Sequence, residues 1–179
     1  MERTKWFERK FPPITDNGLL PGIIERLEGT PARLYYKTGK LTPQQLAAGA
    51  GTKWSIKKEI GHLGDLEPLW LQRLEQLAAG DEILAPADLT NTKTHETAHD
   101  ETPVDELLQH FFHQRLELVA KLRSICPEEL EKTALHPRLK VPMRIIDLAN
   151  FVAEHDDHHL AQITELLLQD TSWMEANTL

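Results

Sequence analysis

The sequence has a single cysteine, Cys126, so no disulfide can form within the chain and stability must come from an apolar core. That usage suits a reducing compartment. No stretch approaches the roughly 18 consecutive apolar residues of a membrane-spanning helix. Residues 1–13, MERTKWFERKFPP, interleave charges with aromatics and carry no apolar signal core, so a cytoplasmic location is expected, with no membrane partner. Basic residues are in deficit: 20 Lys and Arg stand against 28 Asp and Glu, a net charge of -8. Such a balance repels phosphate and argues against a nucleic-acid partner. Strand patterning is weak, internal repeats are missing, and there is neither a phosphate-cradling glycine loop nor a Gly-x-Ser-x-Gly elbow.

What is present is helical periodicity. Hydrophobic residues make up 40% and charged residues 27% of the 179, enough for one domain over 1–179 with a packed part at about 18–170. Gly18 to Gly29 reads as a first helix, with Ile23, Ile24 and Leu27 apolar and Gly29 as its stop; Thr30-Pro31 then restarts a helix through Tyr36. Thr42-Pro43-Gln44-Gln45 has capping-box character, and Ala48 to Thr52 reads as loop. A long helix from Trp54 or Ser55 to Gly80 carries Ile56, Ile60, Leu63, Leu66, Trp70, Leu74 and Leu77 at spacings of three and four, with a kink expected at Pro68. Residues 81–102 form a polar, aperiodic excursion. Another helix runs from Thr102-Pro103 to Cys126, Pro127 opens a short Glu-rich turn, and 134–142 is a loop. The last long helix spans Pro142 to about Gln169, and the tail after Asp170 is expected to fray. Four such helices bury their apolar faces only against one another, which makes the fold class all-α, a four-helix bundle.

Three histidines stand out. His155 and His159, spaced i and i+4, continue the core-facing line Leu148, Val152, Ile163. That spacing puts both imidazoles on one helical face within reach of one metal ion. His158 lies near the same face, but His159 stays in line with Ile163. His62, beside Ile60, Leu63 and Leu66, offers a third ligand from the other helix. Three imidazoles leave a coordination position open, as a catalytic site requires. Glu59, Asp156 and Asp157 are candidates for orienting an imidazole or accepting a proton, and the spacing does not choose among them.

Rival features are weaker. His95-Glu96-Thr97-Ala98-His99 matches the zinc-protease pattern His-Glu-x-x-His, but its flanks lack apolar residues at helical spacing, so it reads as solvated loop. Cys126, at a helix end without an activating base, reads as a small buried residue. His110 and His113 share a face and read as partly exposed; Trp54 and Trp70 read as core.

The stretch Trp54-Ser55-Ile56-Lys57-Lys58-Glu59-Ile60-Gly61-His62-Leu63 followed by Arg73 resembles the second helix of the DinB/YfiT-like superfamily. Glu154-His155 through His158-His159-Leu160-Ala161-Gln162-Ile163 resembles its closing helix, and Thr102-Pro103, Phe111, Phe112, Arg115 and His136-Pro137 ahead of Pro142 also fit. The resemblance covers roughly residues 18–170. It implies a four-helix bundle in up-down-down-up order, and a divalent metal, zinc or nickel, held by His62, His155 and His159. It further implies a small-molecule substrate, a low-molecular-weight thiol such as bacillithiol or mycothiol as co-substrate of an S-transferase, or else an isomerase or hydrolase activity, and often a homodimer. The leading expectation is an enzyme that activates a thiol or water; the alternative is a non-catalytic, metal-binding stress-response protein.

Overall fold

The computed structural model describes residues 3–49 and 53–169; the expectations for the tail after Asp170 and for the loop residues 50–52 lie outside the described residues. Helix α1 spans Leu20–Thr38, α2 Pro43–Ala47, α3 Ile56–Ala79, α4 Thr92–Glu96, α5 Val104–Arg123, α6 Pro127–Leu130 and α7 Ile145–Gln169. The ends follow local chemistry. Ser55 caps α3 by accepting from the Lys58 amide at 3.0 Å, and Gly80 ends it in the left-handed region at φ 90°. Thr42 and Gln45 close a capping box at the start of α2.

Helix α1 corrects the sequence reading, since it runs unbroken through Gly29, Thr30 and Pro31. Proline at 31 removes the amide that would bond the Leu27 carbonyl one turn earlier. That carbonyl is taken instead by Arg115 Nη1 from α5 at 3.1 Å. With Leu27 and Leu34 fully buried on either side of the proline, packing holds the helix where local propensity would stop it. Pro68 likewise sits inside a continuous α3.

Each of the four long helices packs against two others: α1 and α3 both contact α5 and α7. One end of the core gathers Ile24 of α1, Leu74 of α3, Leu118 of α5 and Ile146 of α7. The other end gathers Leu34, Ile60, Phe111 and Ile163 of the same helices. The chain therefore climbs along α1, descends along α3, descends again along α5 and climbs along α7. Two consecutive parallel helices need a return connection as long as the helix, about 36 Å for 24 residues at 1.5 Å each. Residues 80–103 are that connection, which is why the polar excursion exists and why it passes the start of α3.

The segment read as loop at 134–142 holds a two-stranded antiparallel pair, β1 (Ala134–Leu135) and β2 (Pro142–Met143), with Ile83 bridged to Leu135. Ahead of α1, Trp6 packs edge-on against Phe151 of α7 with ring centroids 5.1 Å apart, and Ile14 donates its amide to Asp147. Among the described residues no helix is long and apolar enough to cross a membrane.

Candidate metal centre

Helices α3 and α7 run antiparallel as neighbours, so the second turn of α3 meets the middle of α7. This brings His62, His155 and His159 together, all three buried, each with a ligand-capable atom within 4.8 Å of the others. Ring centroids lie 4.4 Å apart for His155 and His159, 4.8 Å for His62 and His159, and 5.4 Å for His62 and His155.

The nitrogens divide into an outer and an inner set. His62 Nδ1 lies 3.0 Å from Thr94 Oγ1, and that hydroxyl donates to Asp65 Oδ2 at 2.9 Å. The ring therefore donates from Nδ1, leaving Nε2 free. His99 Nε2 meets the same Asp65 oxygen at 2.9 Å and braces the relay from outside. His159 Nδ1 lies 2.5 Å from Glu59 Oε2, which also accepts from Gln162 Nε2 at 3.1 Å. Inside, His159 Nε2 and His155 Nε2 face each other at 3.1 Å, a distance at which one proton lies between them in the metal-free protein. His155 Nδ1 is buried with no partner among the described residues. Three borderline nitrogen donors converging in an apolar wall, with carboxylates tied behind two of them, fit a divalent transition metal.

Of the acids left open by the sequence, Glu59 is the one on an imidazole. Asp156 is engaged by Arg115 and Thr30, and Asp157 by Arg26 and Arg33. His158 turns away to Arg3, its Nδ1 2.7 Å from Nη1. Thr94, Asp65 and Gln162 were given no role in the sequence reading. Gln162, three residues past His159, carried a spacing signal; Thr94, in an aperiodic polar stretch, carried none.

The His-Glu-x-x-His stretch is corrected in one respect. Helix α4 ends before His99, so the motif does not lie on one helix, and His95 is exposed. His99, however, is buried rather than solvated. Its ring lies so close to α3 that a β-carbon on Gly61 would come within 2.4 Å of it. Cys126 is also corrected: it is exposed, and Glu128 beside it pushes its thiol up, away from reactivity. Trp54 is half-buried over His62 rather than core, while Trp70 is core as expected. His110 and His113 are exposed.

Burial fixes the protonation states. It pushes His62 and His159 down to about 3, and His155 well below its usual 6.5, so all three rings are neutral near pH 7. It pushes Glu59 up to about 8. For the histidines the folded value lies below the unfolded one. Their contribution to stability is thus complete above about pH 6.5 and is lost as pH falls toward 3. For Glu59 the folded value lies above the unfolded 4.5, so its contribution is complete below that and fades as pH rises through about 8. Denaturant midpoints of the metal-free protein should fall on both sides of about pH 6.5, and Glu59→Gln should flatten the alkaline side. An alkaline limb unchanged in that variant would contradict the assignment.

The inner nitrogens face a cavity of about 500 Å³ walled mainly by aromatic and apolar side chains, including Trp54, Trp70, Phe151 and Leu66. A family model described as the DinB superfamily matches residues 26–163. The solved structure of YfiT from Bacillus subtilis, described as a probable metal-dependent hydrolase with an unusual four-helix bundle topology, superposes with a TM-score of 0.78. At 21% identity it covers 90% of this chain and 93% of its own. No curated protein sequence matches.

Proposed function

The chain belongs to the DinB superfamily, and from that we propose that it is a divalent-metal enzyme whose ion is held by His62, His155 and His159. The observation that carries this reading is the division of nitrogens: the outer ones of His62 and His159 are tied back and the inner ones converge on a cavity. Among the described residues no fourth side chain joins the cluster, which favours an open, reactive centre over a closed structural one. When bound, the ion supplies Lewis-acid charge that makes a small nucleophile, thiol or water, acidic enough to react near neutral pH.

The protein's own groups do the rest. Glu59, steadied by Gln162, holds the His159 ring at Nδ1 so that its Nε2 is turned inward, where it would hold the ion. Thr94 and Asp65 do the same for His62. The indoles of Trp54 and Trp70 exclude water from two sides and shape a place for a small apolar substrate. The neighbour's description as a probable hydrolase supports the water reading, and the superfamily's thiol-dependent transferases, named above as a resemblance, support the thiol reading. Thiol transfer to a small electrophile is the first of the two and hydrolysis the second.

The test is turnover of the zinc- and nickel-loaded protein with a panel of low-molecular-weight thiols plus an electrophile, and with small esters and amides. Activity should vanish on chelation and return when the ion is restored. A protein carrying one ion per chain and silent on both panels would instead favour the non-catalytic, stress-response role.

A further inference from the structure

At one corner of the cavity, donors meet without an acceptor. Arg73 of α3 is 1% exposed; its Nε donates to the Ala85 carbonyl at 2.8 Å. Its Nη1 points at His136 Nε2, 3.3 Å away. His136 sits between the two short strands, and its Nδ1 accepts two backbone amides, from Arg138 at 3.2 Å and Leu139 at 3.1 Å. A ring that accepts at Nδ1 carries its proton on Nε2. The contact between Arg73 and His136 is therefore donor against donor. Arg138 adds a third donor: its Nη2 is buried and unpartnered among the described residues, and its guanidinium lies over the Phe7 and Phe151 rings.

Among the described residues no carboxylate answers this charge. Among the described residues neither Arg73 nor Arg138 makes an ion pair, although this chain pairs Arg26, Arg33, Arg115, Arg123 and Arg144. The two acids that line the cavity are held elsewhere, Glu59 by His159 and Gln162, Asp88 by Thr90 and Thr92. Two guanidiniums kept in an apolar wall without a counter-charge are costly unless something brings that charge. Burial and the neighbouring Arg138 charge push Arg73 down to about 10, and burial followed by both guanidiniums pushes His136 down to about 4, so the corner stays donor-only at neutral pH.

We propose that Arg73, His136 and Arg138 form a subsite for the carboxylate of a small aromatic or apolar substrate, whose body lies along Trp70 toward the three histidines. Trp70 spans the two places: its ring lies 5.6 Å from that of His155 and 5.3 Å from the Arg73 guanidinium carbon. A carboxylate accepts from a guanidinium fork and from an imidazole N–H at once, and the aromatic walls take the apolar body. This refines the proposed function by naming a substrate class, and it rests on that reading only for the word substrate; the binding itself needs no metal.

The experiment is therefore run on metal-free protein at pH 7, titrated with benzoate and followed by tryptophan fluorescence and calorimetry. Benzoate should saturate, and neutral benzyl alcohol should bind at least about tenfold more weakly. Arg138→Gln, at a half-buried position, should weaken benzoate about tenfold while leaving the thermal midpoint of the free protein unchanged or higher, because it removes an unpaired charge. Arg73→Lys, which keeps the charge but loses the fork, should also weaken it. Absence of saturation, binding undiminished in both variants, or inorganic phosphate binding as tightly as benzoate would each overturn the proposal. None of these outcomes bears on whether the histidines take a metal, so a failure here is separable from a failure of the proposed function.

Discussion

His159→Ala should abolish tight metal binding while the bundle stays folded. Alanine is a good helix former at this position in the middle of α7, and the loss of one buried ring leaves a small cavity rather than an unpaired charge. Two nitrogens would remain of three, and Glu59 would lose the ring it orients. Removing a supporting hydrogen bond costs roughly 10- to 100-fold in metal affinity. Glu59→Gln and Thr94→Val should fall in that range, and His159→Ala well beyond it. His95→Ala, at an exposed side chain, should leave affinity unchanged. His99→Ala should have a small effect, passed through Asp65 to Thr94 and His62. Competitive titration with a chromophoric chelator measures the series; equal affinity in His159→Ala and His95→Ala would contradict the account.

The second large effect is expected at Arg115, which holds the middle of the bundle together. Its guanidinium, 1% exposed, grips Glu67 bidentately at 2.6 and 3.1 Å. It also bonds both oxygens of Asp156 and the Leu27 carbonyl freed by Pro31. One residue from each of the four long helices is thereby fixed. Arg115→Met would leave two buried carboxylates facing each other and one carbonyl unpaired. Breaking a buried pair on one side costs about 3–5 kcal/mol. Burial already raises Glu67 above the usual carboxylate range, so its protonation would relieve part of the strain. Glu67→Gln added to Arg115→Met should therefore recover some stability. Since Asp156 adjoins His155, loosening this network should also weaken metal binding. Urea unfolding of the metal-free variants is the measurement, and a loss below about 1 kcal/mol would show that the network is dispensable.

The pairing of His155 with His159 was legible in sequence because both continue the apolar line of Leu148, Val152 and Ile163, whereas His62 lies beside the α3 stripe and was assigned by the superfamily resemblance. The bounds of α3 were legible because Ser55 and Gly80 announce themselves by cap chemistry. The continuity of α1 was not: the Arg115 side chain that answers the Leu27 carbonyl is 88 residues away. Thr94 was illegible for a related reason. Its role depends on the return connection passing α3, and the close approach depends on Gly61 having no β-carbon to meet His99. The donor-only corner was also hidden, since it requires knowing that two backbone amides claim one nitrogen of His136.

X-ray absorption at the metal edge of the loaded protein tests the central claim most directly. The account predicts one ion per chain with a shell of three imidazole nitrogens completed by light atoms from solvent, and loss of one imidazole in His62→Ala. A protein that takes up no ion from zinc or nickel solution, or an ion surrounded by carboxylates with no imidazole scattering, would contradict it.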